Sequence, residues 1–125
     1  MKITLLGQPK STQHCYLYTA RAGRVQGYMK AECKTLKEDY QWQARAQVFG
    51  EPFKCDLAIT LNLYHGTKRK FDIDNANKLI FDALTGIVYE DDSQIVELTI
   101  RKSYDKERPR AELQIFPSVI HSVTV

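Results

Sequence analysis

Long apolar runs are missing from this 125-residue chain. No stretch approaches the roughly 20 apolar residues that a membrane span needs. Residues 1–6 hold four clearly apolar side chains, Met1, Ile3, Leu5 and Leu6, too few for the hydrophobic region of a secretory signal. Secretion and membrane insertion are therefore not expected, and a cytoplasmic setting is. Cysteine is scarce as well: Cys15, Cys33 and Cys55 are odd in number and widely spaced, with no C-x-x-C pair. The histidines His14, His65 and His121 show no ligand spacing around them. A disulfide framework needs an even count and a zinc site usually shows paired ligands, so the three cysteines are expected as reduced thiols. His14 and Cys15 are adjacent, and neighbours on an extended chain point to opposite faces, which argues against a Cys–His nucleophile.

Internal repeats and low-complexity segments are absent too. What is present is ordinary globular composition, 43% hydrophobic and 26% charged, in a length that suits one domain over residues 1–125. A chain of this size buries roughly two thirds of the surface its unfolded form exposes.

The net charge of +3 is modest, but its distribution is not. Between positions 72 and 97 lie seven acids (Asp72, Asp74, Asp82, Glu90, Asp91, Asp92, Glu97) and one base, Lys78, a local balance of −6 that leaves +9 for the rest. The basic run Lys68-Arg69-Lys70 stands immediately before the acidic segment. Such a pattern fits an outer surface that attracts phosphates around a carboxylate cluster that holds cations.

Periodicity supplies a coarse order of elements. Residues 3–6 read as a short strand ended by Gly7 and Pro9. Residues 10–27 have no period and read as a long loop. Residues 28–49 read as a helix, with Met29, Leu36, Tyr40, Ala44 and Val48 on one face. Residues 57–64 alternate with period two, a half-buried strand. Residues 74–84 read as a second helix, with Asp74 as N-cap and Gly86 beyond its end. Residues 94–102 and 111–116 read as two strands joined by a turn at Pro109, and residues 118–125 as a frayed tail or an added strand. The expected fold is α+β, one small domain with two main helices on a mixed or mainly antiparallel sheet.

The chemistry concentrates around the second helix. Asp72 and Asp74 are two apart where an extended segment meets the helix, and on an extended chain such residues share a side. Asp91 and Asp92 follow the helix after a turn at Gly86, and a chain reversal there returns them to the helix N-terminus, completing a three-carboxylate site. Carboxylates gathered without His or Cys suit Mg²⁺ or Mn²⁺, ions that activate water and stabilise the oxygens of an in-line displacement at phosphorus. Lys78, four residues after Asp74, falls on the same helical face and can meet the charge on a scissile phosphate. An i,i+4 surface pair and a polar turn would use the same residues without chemistry.

The stretch from Phe71 to Leu84 (FDIDNANKLIFDAL), followed by Tyr89-Glu90-Asp91-Asp92-Ser93-Gln94-Ile95, resembles the signature of the RusA-type Holliday-junction resolvases. That signature is D-hydrophobic-D-N, a lysine three residues on, D-A-L, a short turn, then D-D-x-Q and a hydrophobic residue. The resemblance implies that Asp72, Asp74 and Asp92 are metal-binding catalytic carboxylates, that Asp91 supports them, and that Lys78 is the essential basic residue. It also implies a homodimer that uses Mg²⁺ or Mn²⁺ to resolve four-way DNA junctions by paired nicks. Phe71 departs from the basic residue or proline often found there in the family. Lys68, Arg69 and Lys70, with Arg21 and Arg24 from the long loop, are the expected DNA contacts. Two other functions use the same residues: a DNA-binding module whose carboxylates no longer turn over, and a Mg²⁺-dependent nucleotide pyrophosphohydrolase. The latter draws on glutamates from successive helical turns, and only Glu90 and Glu97 lie near these aspartates.

Overall fold

A computed structural model describes residues 1–119. Among the described residues six strands and two α-helices follow one another: β1 (Lys2–Leu6), β2 (Tyr16–Arg21), β3 (Arg24–Met29), α1 (Ala31–Gln47), β4 (Leu57–His65), α2 (Asn77–Leu84), β5 (Ile95–Tyr104) and β6 (Arg110–Pro117). The fold is α+β. A four-stranded sheet runs in the order β1-β6-β4-β5, and β2 and β3 form a separate antiparallel hairpin. The β1–β6 and β6–β4 pairs are antiparallel, whereas β4 and β5 are parallel neighbours joined through α2. Parallel neighbours need a crossover, and α2 supplies it.

Strand β4 shows why the sheet forms. Its residues alternate strictly between buried and half-buried, with Leu57, Ile59, Leu61, Leu63 and His65 on the inner side. Ile3 and Leu5 of β1 and Ala111, Leu113 and Ile115 of β6 extend that inner face, and α2 covers it with Ile80, Ala83 and Leu84. α1 adds Tyr40 and Ala44, with Leu36 and Val48 packed at the margin. The second anchor of α1 is polar. Gln47 accepts from the Thr4 N–H at 2.8 Å and donates to the Thr4 carbonyl at 2.7 Å. Gln43, one helical turn earlier, does the same to Leu6 at 2.7 and 3.2 Å. Two amides at helical spacing thus satisfy alternate residues of a strand edge.

Several expectations are corrected. Residues 10–27 are not a loop: a short 3₁₀ turn, Gln13–Cys15, leads into the hairpin. Ala22 and Gly23, at φ 54° and 77°, make its tip, positive values at both central residues that match the twist of a tight hairpin. Tyr18 lies across Gly27, so closely that a β-carbon there would stand 3.2 Å from its ring. Most of the hairpin's side chains are exposed on both faces, so no hydrophobic alternation marks it. Met29 belongs to β3, and the first helix begins only at Ala31. Cys15 and Cys33 are not free thiols but a disulfide, with Cα atoms 5.7 Å apart; Cys55 is free and exposed. The hairpin folds away the residues between the two cysteines, which hides their proximity from their spacing in sequence. His14 and Cys15 are not on an extended chain either, since both belong to the 3₁₀ turn. His121 and most of residues 118–125 lie outside the described residues, but the Ser118 N–H donates to the Asp56 carbonyl at 2.8 Å.

Candidate active site

α2 starts three residues later than its periodicity suggests, at Asn77, and Asp74 is not its cap: Ala76 holds that place without a side-chain hydrogen bond. Residues 72–75 instead form a turn closed by the Asn75 N–H on the Asp72 carbonyl at 3.1 Å. The extended geometry expected for Asp72 and Asp74 is therefore replaced by a bend. Thr12 anchors this turn from the N-terminal segment: it is buried, and both its N–H (2.9 Å) and its hydroxyl (3.0 Å) donate to the Asn75 carbonyl. Asn75 Oδ1 is buried and has no hydrogen-bond partner among the described residues.

After α2 the chain does reverse. Gly86 takes φ 85°, and its N–H donates to the Tyr89 carbonyl at 2.7 Å. Tyr89 is fully buried, and its hydroxyl donates to the Phe81 carbonyl at 2.6 Å, pinning the returning segment to the helix. Gln94 finishes the work. Its Oε1 accepts from the Glu90 and Asp91 N–H groups, each at 2.9 Å, while its Nε2 donates to the Phe53 and Cys55 carbonyls at 2.8 and 2.9 Å. The glutamine of the D-D-x-Q string is thus the strut that fixes the aspartates before it.

The two aspartates have separate roles in this turn. Asp91 caps the 3₁₀ turn Asp92–Gln94 and accepts from the Ser93 N–H at 3.2 Å. That backbone bond, with a hydrogen bond from Asp92, holds the Asp91 carboxyl below its usual range. Asp92 is the member left facing the site. Burial first, then the hydrogen bond with Asp91 and the charges of Asp82 and Asp91, push its carboxyl up, while Lys78 opposes them. Asp92 returns to the N-terminal end of α2, in a cavity it shares with Asn77 and Phe81.

Lys78 lies in a second cavity of about 320 Å³ with Asp74, Asn75, Tyr16 and Tyr18. Its Nζ stands 4.2 Å from the centre of the Tyr16 ring, close enough for a cation–π contact. The Tyr16 hydroxyl donates to Asp82 Oδ2. Burial and that bond push the phenol well above its ordinary value, so it keeps its proton. The structure therefore gathers Lys78, Asp74, Asp82 and Asp92 around the first two turns of α2, whereas Asp72, at the start of the bend, lines neither cavity. Among the described residues, no three carboxylates bring their oxygens within 4.8 Å of one another. The donors on offer, carboxylates and the unpartnered Asn75 oxygen, are hard and suit a hard divalent cation. Tyr16 and Asp82 are the residues that sequence reasoning passed over. Asp82 stands one turn after Lys78, a spacing that could have flagged it. Tyr16 sits in the hairpin and gave no signal.

The basic residues divide between two places. Lys68, Arg69 and Lys70 line a cleft of about 380 Å³ with Phe71, Lys102 and Tyr104. Lys68 Nζ stands 5.1 Å from the centre of the Tyr104 ring, and Lys102 Nζ donates to the Phe71 carbonyl. His65 packs its ring 4.5 Å from that of Phe71, and burial and Lys102 hold its imidazole below the ordinary value. Lys102 comes from β5 and was not expected here. Arg21 and Arg24 face each other across the hairpin tip instead.

The sequence profile of the family described as Endodeoxyribonuclease RusA matches residues 7–116. The chain belongs to the RusA endodeoxyribonuclease family. The match takes in the hairpin, both helices and three of the sheet's four strands, β1 lying before it, so the RusA assignment covers Tyr16 and Thr12 as well as the aspartates. The chain is also similar to the "Uncharacterized protein YqaN" of Bacillus subtilis (strain 168), 48% identical over 46 residues, which are 37% of this chain and 32% of that protein. It spans about a third of that relative's length. No helix among the described residues is long and apolar enough to cross a membrane.

Proposed function

We propose that the chain is a divalent-metal-dependent endodeoxyribonuclease that resolves four-way DNA junctions in the cytoplasm, acting as a homodimer in recombination and repair. The observation that carries this reading is the family match across residues 7–116, with Asp74, Asp92 and Lys78 near the N-terminal end of α2. Asp72, Asp74 and Asp92 hold Mg²⁺, for which Mn²⁺ substitutes, and Asp91 serves by fixing the turn that presents Asp92. When bound, the ion activates water and stabilises the oxygens exchanged at phosphorus. Lys78 neutralises charge on the reacting phosphate, and Tyr16, itself held by Asp82, keeps its ammonium in place. Lys68, Arg69, Lys70, Arg21 and Arg24, joined by Lys102, contact phosphates and position the junction without reading bases. A two-fold dimer presents two identical sites, which suits a junction whose paired strands are related by the same symmetry.

The test uses labelled junctions, linear duplex and nucleoside triphosphates, each with Mg²⁺, Mn²⁺ or EDTA. Junctions should be nicked in either metal and not in EDTA. Asp74→Asn should lower cleavage by at least the roughly 10–100-fold that loss of an outer-shell partner costs, while junction binding persists. Sedimentation should give twice the 14.4 kDa chain mass. Hydrolysis of triphosphates alone, or binding without cleavage in either metal, would replace this function with one of its two competitors.

A further inference from the structure

The Cys15–Cys33 disulfide joins the segment before Tyr16 to α1, and the endonuclease reading gives it no task. His14 and Cys15 come from the 3₁₀ turn before β2; Glu32 and Cys33 come from the first turn of α1. Together they line a cavity of about 260 Å³. Both cysteines are buried, and the sulfurs and a His14 ring nitrogen lie within 4.8 Å of one another. Glu32 Oε1 stands 3.2 Å from His14 Nε2.

We propose that, once reduced, this cluster is a zinc site formed by Cys15, Cys33, His14 and Glu32, so that disulfide and zinc are alternative crosslinks between the hairpin and α1. Zinc–ligand bonds of roughly 2.0–2.3 Å put two ligand atoms of one tetrahedral ion about 3.3–3.8 Å apart. The His14–Glu32 spacing already matches, the imidazole and the sulfurs need to close by about 1 Å, and the two sulfurs, once reduced, must part to about 3.8 Å. Two thiolates and an imidazole form a soft set that selects zinc over the hard cation of the carboxylate site. Reduction balances simply. A dithiol reductant gives up two electrons and two protons and closes its own disulfide, while the Cys15–Cys33 bond opens to two thiols. Zinc then displaces both thiol protons. An exposed His14–Glu32 ion pair alone would be a weak contact. The same two residues become a reason for the pair's position once the sulfurs are free.

The experiment uses the full chain in a Cys55→Ser background, reduced with a phosphine, in excess Mg²⁺ to occupy the carboxylates. Cobalt titration should raise a thiolate-to-cobalt charge-transfer band that saturates at one ion per chain, and zinc should bleach it. The oxidised protein should show no band, and Cys33→Ser should abolish it. Because that variant can lose its fold, His14→Ala and Glu32→Gln, at exposed positions, carry the test independently. His14→Ala should weaken zinc at least about tenfold in a chelator competition. A reduced protein with two titratable thiols and no cobalt band would overturn the site, as would a zinc affinity unchanged in His14→Ala. Junction cleavage is not a readout, so failure here leaves the endonuclease reading untouched.

Discussion

Strand β4 buries every second side chain from Leu57 to His65, whereas the β2–β3 hairpin leaves Tyr18, Val25 and Tyr28 at least half exposed. The sheet is held by apolar packing between strands and α2. The hairpin is held by a few specific ties: the Tyr16–Asp82 hydrogen bond, the Lys78–Tyr16 contact, and the disulfide to α1. Both regions reach the same site: the connections and α2 between β4 and β5 carry the acids, and the hairpin brings Tyr16 to Asp82 and Lys78. The sheet's contribution should therefore be measured in stability and the hairpin's in rate.

The largest expected effect lies in the sheet. Leu61 is fully buried in β4, and Leu61→Ala should cost about 2–5 kcal/mol in urea unfolding. Val25, 75% exposed on the hairpin, should tolerate serine within about 0.5 kcal/mol. Equal losses would mean that the hairpin is core.

Tyr16→Phe should reverse the order. It keeps the ring over Lys78 and deletes the hydroxyl that donates to Asp82. A hydrogen bond to a charged group is worth about 1.5–3 kcal/mol, so single-turnover junction cleavage should fall about tenfold or more, with binding little changed. An unaltered rate would remove the hairpin from the site.

Legibility follows the same division. The alternation of β4, the helical spacing of Ala76, Leu79, Ile80, Ala83 and Leu84, and the turn at Gly86 were all readable, because burial on one face imprints a period. The hairpin has no buried face and imprinted none. Its tip, Arg21-Ala22-Gly23-Arg24, was the one clue. The aspartates were legible through their motif, but their geometry was not. The bend at residues 72–75 is fixed by Thr12, more than sixty positions upstream, and no local rule foresees such a partner. The disulfide was hidden for a related reason, since spacing in sequence says nothing about a hairpin folded between two cysteines.

Smaller effects sharpen the contrast further. Replacing Lys68, Arg69 and Lys70 with alanine should flatten the slope of log K against log salt by about 0.9 for each phosphate no longer neutralised, for all junctions alike. A shift in cleavage position instead would make that cleft a reader of bases. The smallest effect concerns Asp92. Its native carboxyl is raised by burial and acidic neighbours, so the folded state binds its proton more tightly than the unfolded state does. The stability this confers is complete below the unfolded carboxyl's pKa of about 3.9 and is lost as pH rises through the raised native value. With chelator present, Asp92→Asn should therefore stabilise the protein at neutral pH. That advantage should vanish in acid, as urea midpoints at the two extremes would show.

The pairing of Gln43 and Gln47 with Thr4 and Leu6 also bears on how the molecule behaves in a crowded solution. A sheet margin with bare amides and carbonyls is a template on which another chain can zip up as an added strand. Here two side chains from the protein's own helix already occupy those positions at β1. An incoming strand would have to displace all four bonds before gaining one. The opposite margin, β5, carries Glu97, Arg101 and Lys102 exposed along its length, and charges of this kind discourage stacking of like edges. One margin is thus plugged and the other electrically guarded, so neither edge of the sheet offers a template for fibres.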